Sequence, residues 1–215
     1  MHLDQNSYGA AALVLGICIV GFILLGFIPS KWISWALRIL LIVFSAFVIW
    51  FHRVPSRNVA GGPSEVTAVA DGKIVVVEKV YESEYLKRDC ILVATYMNFF
   101  DVHANFWPMS GEITYYKYHP GLNKLAFLPK SSDLNEHSSS ALKNEYGEIF
   151  FKQIAGTFAR RIVCYSKEGS HETKGEQMGI IKFGSRIDMF LPLDAKVKVK
   201  PGDLVRACET VIAEL

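Results

Sequence analysis

Paired cysteines and an excess of charge of either sign are both missing from this sequence. Its four cysteines stand far apart, without a C-x-x-C pair, and each lies in an apolar run. Buried free thiols are therefore expected rather than disulfides or metal ligands, a pattern compatible with a reducing compartment. The net charge of the 215 residues is only +2, so electrostatics gives no reason to expect a nucleic-acid partner.

Charged side chains are also absent from residues 5–30, most of which are apolar. A helix of about 20 apolar residues is long enough to cross the hydrocarbon core of a bilayer. A signal peptide would need a basic first segment and a small-residue cleavage site, and this segment shows neither. A second apolar run, residues 32–51, is interrupted only by Arg38, which can snorkel toward Lys31. We predict a membrane-anchoring transmembrane helical hairpin in residues 1–57, with an interfacial or buried second helix as the alternative.

Basic residues flank the predicted hairpin almost evenly. Arg53 and Arg57 follow its second run, while Lys31 lies in the turn between the two runs. The positive-inside rule therefore gives only a small preference for one orientation. Because free thiols fit the cytoplasm, we expect both ends of the hairpin there. The protein is thus predicted in the cell membrane, with its remaining domain facing the cytoplasm.

Residues 58–215 show short β-rich runs and no helical periodicity beyond a short stretch near residues 138–144. Turn signals such as D-G, S-G and P-G separate most runs, which predicts a mostly β domain of about 150 residues. The cadence of the last strands resembles barrel-sandwich modules, but the lysine motif of a carrier is absent, so this resemblance concerns the fold alone. Residues 120–148 lack a clear period and are expected to form a long loop, either over a pocket or lipid, or simply in solvent. The predicted strands lie at residues 66–80, 90–97, 112–118, 148–155, 160–165, 178–183, 186–191 and 196–200.

A glycine–serine step, Gly184 and Ser185, separates two of these β-rich runs. Glycine inside a strand pattern often marks a bulge or a close backbone approach, which would leave Ser185 an ordinary serine. The alternative is a peptide bond that cleaves itself and converts Ser185 into a pyruvoyl group. A serine hydrolase would need a G-x-S-x-G elbow between a strand and a helix, whereas residues 182–187 read K-F-G-S-R-I.

Three polar residues alternate among aromatic ones at Asp101, His103 and Asn105, and on a strand they would share one face. Polar groups are costly to bury unless they are paired. An internally satisfied network and a proton-transfer role for His103 are therefore equally good interpretations. Asp71 precedes a glycine, a position that turn chemistry alone explains.

The other histidines of the domain, His119, His137 and His171, have no comparable surroundings and are expected in loops. His137 could be grouped with Asp101 and His103 as a metal site. That spacing fits no known ligand pattern, so no metal is expected.

Three stretches, in order, resemble segments of the phosphatidylserine decarboxylases, specifically the short branch of that family. Residues 69–72 read V-A-D-G, residues 100–105 read F-D-V-H-A-N, and residues 174–186 read K-G-E-Q-M-G-I-I-K-F-G-S-R. The resemblance covers the chain from about residue 50 to the C-terminus, and the apolar N-terminus and the chain length also fit.

The resemblance implies a proenzyme that cuts itself between Gly184 and Ser185. The products would be a β chain, residues 1–184, and an α chain, residues 185–215, which remain together as a heterodimer. Ser185 would become a covalent pyruvoyl cofactor. That group would decarboxylate phosphatidylserine to phosphatidylethanolamine and CO2 through a Schiff base.

The resemblance also assigns site residues. Asp71 and His103 match the polar partners of the serine. In the longer bacterial branch a further histidine stands three residues beyond the match to His103, and here that position is Phe106, so the processing base is left open. Arg186 and Asn105 are expected to bind substrate, and two further arginines are headgroup candidates, namely Arg53 and Arg57.

Two other functions stay open. One is a non-enzymatic, membrane-tethered barrel-sandwich adaptor in which the step at Gly184 and Ser185 is a plain bulge. The other is a pyruvoyl decarboxylase of a soluble amino acid, which the predicted hairpin disfavours because a soluble substrate needs no anchor.

Overall fold

The computed structural model describes residues 1–121, 135–156, 162–165, 167–181 and 185–215. The chain divides into two compact units, Met1–Pro55 and Ser56–Leu215.

The first unit is built from two apolar helices, α1 (Tyr8–Leu24) and α2 (Lys31–Phe51). The segments Gln5–Phe27 and Lys31–Phe51 have mean hydropathies of 2.7 and 2.2, and both are long enough to cross a membrane. The Ser34 hydroxyl of α2 donates at 2.6 Å to the carbonyl of Leu25, the residue directly after α1. Two short strands, β1 (His2–Leu3) and β2 (Arg53–Val54), pair antiparallel beside them. An N-terminal hairpin of two apolar helices is therefore confirmed.

The second unit is mostly β, as predicted. Its strands are β3 (Glu65–Thr67), β4 (Gly72–Glu82), β5 (Arg88–Met97), β6 (Ala104–Phe106), β7 (Gly111–His119), β8 (His137–Asn144), β9 (Gly147–Ala155), β10 (Ile162–Cys164), β11 (His171–Glu172), β12 (Gln177–Ile181), β13 (Ser185–Leu191), β14 (Lys196–Val197), β15 (Leu204–Val205) and β16 (Val211–Glu214). The largest sheet among the described residues has eight strands in the order β11-β7-β8-β9-β13-β5-β4-β15, and two smaller sheets have the orders β10-β12-β6 and β14-β16-β3.

Strand β13 lies inside the largest sheet, hydrogen-bonded to β5 on one side and β9 on the other. Its side chains alternate between two apolar layers. Ile187, Met189 and Leu191 enter the main core, whereas Phe190 joins a smaller cluster on the other face. The same alternation places Ser185 on the face of the main core.

Three sequence-based expectations differ from the structure. The suggestion of helix near residues 138–144 is wrong. These residues belong to β8, because β7 and β9 hydrogen-bond to them on both sides. The predicted strand at residues 66–80 is two strands in different sheets. It breaks before Gly72, where a Cβ would lie 2.3 Å from the Tyr96 carbonyl oxygen, so only glycine permits the close approach. The expected loop at residues 120–148 is wrong in its later part, which holds β8 and the start of β9, and residues 122–134 lie outside the described ranges.

Candidate active site

Ser185 opens strand β13 at the centre of the sheet. It pairs with Met97 on β5 and with Ala155 on β9, and its side chain is fully buried. Its hydroxyl donates to the Met97 sulfur at 3.6 Å. Sulfur is a poor acceptor, so this contact orients the hydroxyl without neutralising its reactivity. Gly184 lies outside the described residues.

A second buried polar group meets the same sulfur. Asn105, on β6, points its Nδ2 at the Met97 sulfur over 3.8 Å, and its Oδ1 accepts a hydrogen bond from Gln153 Nε2 at 2.7 Å. Gln153 Oε1 in turn accepts from the Ser138 hydroxyl at 2.7 Å. Met97 therefore brings Ser185 and Asn105 together, and Gln153 fixes the amide orientation of Asn105.

Gln153 and Ser138 were not identified from the sequence. One signal was available for Gln153, a polar residue that alternates with the apolar Phe151 and Ala155 along a predicted strand. Its partner could not be deduced, because Asn105 comes from a distant strand in another sheet.

His103 precedes β6 and is fully buried. Its Nδ1 lies 3.0 Å from the Asp101 carbonyl oxygen. When Nδ1–H donates to that carbonyl, the neutral ring presents Nε2 as the basic nitrogen, the tautomer required of a general base. Its own carbonyl accepts from Ile181 N–H at 3.2 Å, which ties His103 to the strand that leads into the glycine–serine step.

The predicted common face of Asp101, His103 and Asn105 is only partly present. Strand β6 begins at Ala104, so Asp101 belongs to the preceding turn, where its Oδ2 accepts from Asn98 N–H at 2.8 Å. His103 and Asn105 are fully buried, while Asp101 is partly exposed.

Asp71 is engaged with other groups at the start of β4. One carboxylate oxygen accepts from Arg57 Nη2 at 2.6 Å, and the other accepts from Ala207 N–H at 2.8 Å. Arg57 is itself buried and lies 3.7 Å from Glu209 as well. The Val69 carbonyl just before Asp71 accepts from Phe106 N–H at 2.9 Å, so this segment borders β6.

The remaining arginine candidates are also occupied. Arg186 is 4% exposed, projects from the face of β13 opposite to Ser185, and donates through Nε and Nη2 to Asp188. Arg53 donates to the Trp50 carbonyl at 2.8 Å and lies over the Trp50 ring. The Arg186 side chain therefore points away from that of Ser185.

The structure groups Glu84, His119 and His137, whose possible ligand atoms lie within 4.8 Å of one another. His119 is the last residue of β7, His137 is the first residue of β8, and their rings stack with centroids 4.3 Å apart. The prediction that these two histidines lie in loops is therefore wrong. His171 is likewise in a strand, β11.

Glu84 already has a cationic partner, because Lys152 Nζ lies 2.9 Å from its carboxylate. Burial alone would raise the pKa of Glu84, but the hydrogen bond and charge of Lys152, with His119 and Ser139, lower it to about 2. Burial lowers the pKa of His137. An ammonium on the carboxylate opposes a divalent cation, so this group is better described as a charge network than as a metal centre.

A cavity of about 890 Å³ lies at the other end of β8. It is lined in part by Asn144, the last residue of β8. The first residue, His137, pairs with Ile154, which pairs with Arg186. The cavity is therefore remote from Ser185, and its size alone does not make it the reactive site.

Comparisons with known proteins agree with the motifs around Ser185. The sequence profile of the family described as phosphatidylserine decarboxylase matches residues 44–213. A phosphatidylserine decarboxylase proenzyme of Cytophaga hutchinsonii is 42% identical over 199 residues, covering 91% of this chain and 90% of the relative. A protein of the same name from Porphyromonas gingivalis is 41% identical and covers 100% of this chain and 99% of the relative. One from Amoebophilus asiaticus is 39% identical over 94% of this chain and 89% of its own length. The resemblance predicted from three short motifs is confirmed, and the chain belongs to the phosphatidylserine decarboxylase family.

Proposed function

We propose that this decarboxylase is made as a proenzyme that cleaves its own bond between Gly184 and Ser185, and that residue 185 then acts as a pyruvoyl group on phosphatidylserine. Family membership makes the chain a carboxy-lyase. The observation that carries the cleavage proposal is the position of Ser185 as the buried first residue of a strand paired on both sides. A new chain end formed there is held in place by the sheet.

The cleavage chemistry is an attack of the Ser185 hydroxyl on the Gly184 carbonyl carbon. The C–N bond breaks and an ester forms; elimination across Cα and Cβ of residue 185 then releases the Gly184 carboxylate and leaves a dehydroalanine. Addition of water and loss of ammonia complete the conversion to a ketone. Glycine on the acyl side leaves the carbonyl sterically open. We assign His103 as the base that removes the serine proton and Asp71 as a second polar partner, with Arg57 holding the Asp71 carboxylate.

The surroundings of residue 185 fit a pyruvoyl group. Such a ketone supplies an electrophile that takes up the electrons released when CO2 departs. The Asn105 amide and the Ser185 hydroxyl both contact the Met97 sulfur. Asn105 is therefore a hydrogen-bond donor close to residue 185, and Gln153 fixes the orientation of its amide. We propose that Asn105 contacts the substrate and that His103 transfers the proton that replaces CO2 on the substrate. Arg186 would reach a headgroup only after leaving Asp188.

Sheet pairing supports a stable complex of the two products. The proposed α chain, residues 185–215, contains β13, which pairs over seven residues with β5. It also contains β15, paired with β4, and β16, paired with β3, and all three partner strands belong to the proposed β chain, residues 1–184. Because β13 also pairs with β9 of the proposed β chain, separating the chains would break four ladders among the described residues and open the main core, so a heterodimer is expected to persist after cleavage.

The two apolar helices support attachment to a membrane, where a phospholipid substrate resides. We propose the cell membrane, with the decarboxylase domain on the cytoplasmic side. The four cysteines form no disulfide, which is compatible with a reducing compartment.

Mass analysis of the freshly purified, denatured protein tests the cleavage. We expect two fragments split after Gly184, the smaller with a blocked N-terminus, and CO2 release when phosphatidylserine is added. An intact chain of 24.1 kDa in a folded sample would instead support the adaptor. Cleavage with activity on a soluble amino acid, but none on phosphatidylserine, would overturn the proposed substrate.

A further inference from the structure

A short turn between β5 and β6 is held rigidly by its own polar groups. Asn98 N–H donates to Asp101 Oδ2 at 2.8 Å, Phe100 N–H donates to Asn98 Oδ1 at 2.8 Å, and Asp101 N–H donates to the Asn98 carbonyl at 3.1 Å. The carboxylate and the amide of the turn are thereby directed inward at the backbone. The side chains left at its tip are Phe99 and Phe100.

Both phenylalanines are exposed although hydrogen bonds close the turn. Phe99 is 41% exposed and Phe100 is 69% exposed, and their rings meet edge to face at 5.7 Å. Single exposed apolar residues are common on soluble proteins, but two adjacent aromatic rings on a rigid polar turn form a small apolar tip. Exposing two apolar rings to water is costly.

The turn connects two parts of the candidate active site. It begins directly after Met97, whose sulfur accepts from the Ser185 hydroxyl. It ends just before His103, whose Nδ1 lies 3.0 Å from the Asp101 carbonyl oxygen. Whatever binds the aromatic tip is therefore held within a few residues of the reacting groups.

We infer that Phe99 and Phe100 insert into the lipid interface and hold the candidate active site against phosphatidylserine headgroups. This inference rests on the proposed function, since it takes its partner from the phospholipid substrate. Aromatic rings are favoured at the boundary between headgroups and acyl chains. Two side chains are too few for a stable protein interface, which buries at least about 1,000 Å². A bilayer is the partner that fits, because it needs only a shallow apolar insertion.

The test compares two substrates with the full chain. One is long-chain phosphatidylserine in phosphatidylcholine vesicles that hold the reconstituted protein, and the other is short-chain phosphatidylserine, monomeric in detergent solution. For the double variant Phe99→Ser/Phe100→Ser, we expect the rate on vesicles to fall about tenfold or more, as the loss of aromatic insertion implies. The rate on the soluble substrate and the extent of self-cleavage should stay close to those of the unaltered protein.

Two variants serve as controls. Phe99→Leu/Phe100→Leu keeps the tip apolar and should retain most of the rate on vesicles. Tyr146→Ser removes another exposed aromatic side chain, on a turn that is also held by an asparagine, Asn144, and should change neither rate. If the serine double variant does not fold, the single variant Phe100→Ser is used in its place, and a smaller loss of rate on vesicles is expected.

Equal losses on both substrates, or no loss on vesicles, would overturn the inference. Failure of the proposed function looks different. In that case the unaltered protein itself would remain uncleaved or would release no CO2 from the soluble lipid.

Discussion

Arg186 and Asp188 leave strand β13 on the same face and are joined by two hydrogen bonds, while Ser185 points to the opposite face. Both side chains are almost fully buried. The pair therefore fixes the start of β13 on the face opposite to Ser185, beginning one residue beyond that serine. We propose that Arg186 positions residue 185 rather than touching the headgroup.

Asp188→Asn tests this anchor. The change leaves a buried guanidinium without its counter-charge, so we expect a loss of about 3–5 kcal/mol in the free energy of unfolding and slower self-cleavage. Thermal unfolding and the cleaved fraction over time measure the two effects. Asp194→Asn, the same change at an exposed aspartate, is the control. If Asp188→Asn cleaves itself at the normal rate, and if Arg186→Lys raises only the KM for phosphatidylserine, headgroup binding by Arg186 is favoured instead.

Ser185→Ala removes the proposed nucleophile with little change in volume. The protein should fold, remain a single chain of 24.1 kDa and release no CO2 from phosphatidylserine, since neither the cleavage nor the ketone is possible without the hydroxyl. Mass analysis and CO2 release measure this directly. The control variant Ser138→Ala loses another buried hydroxyl, and it should still cleave itself. A cleaved or active Ser185→Ala protein would refute the assignment.

Local patterns carried much of the prediction. The apolar residues Ile187, Met189 and Leu191 alternate, and that local signal predicted a strand which the structure contains. Every predicted strand overlaps an observed one, whereas β1, β2, β6, β8, β11, β15 and β16 were not among the predicted strands. These are short or polar strands, whose conformation depends on their neighbours in the sheet more than on their own side chains.

The site was only partly predictable for a related reason. Ser185 was identified by its motif, but its contact with Met97 depends on the register of two strands far apart in sequence. The ion pair of Glu84 with Lys152 depends on a turn that folds over the sheet. Such pairings leave no trace in the spacing of the residues.

His103→Ala separates processing from decarboxylation. Because His103 is buried and is tied through its carbonyl to the strand before the cleavage point, we expect at least one of the two reactions to slow, by about 100-fold, the usual contribution of a general acid or base. The cleaved fraction and the CO2 rate per cleaved chain distinguish the two roles. His171→Ala, an exposed histidine, is the control. Normal rates for both reactions would show that His103 is not the base.

Gln153→Leu tests the orientation of Asn105. Leucine fills similar volume but cannot donate to Asn105 Oδ1, so the amide loses the partner that turns its Nδ2 toward Met97. We expect the CO2 rate per cleaved chain to fall about tenfold, as the loss of one buried hydrogen bond implies. Asn105→Ala should give a loss at least as large, and the double variant should lose no more than Asn105→Ala alone. Additive losses would mean that Gln153 acts independently of Asn105.

Glu84→Gln tests the charge network through pH. The folded protein lowers the pKa of Glu84 from 4.5 to about 2, so the carboxylate stabilises the fold above about pH 4.5. This contribution should decline as the pH falls toward 2. The variant should lose about 2–3 kcal/mol in the free energy of unfolding near neutral pH, because Lys152 is left without its partner, and little near pH 2. Denaturant unfolding at a series of pH values measures the difference. Glu78→Gln, at an exposed glutamate, should match the unaltered protein throughout; a Glu84→Gln loss that stays constant down to pH 2 would show that packing, not charge, is responsible.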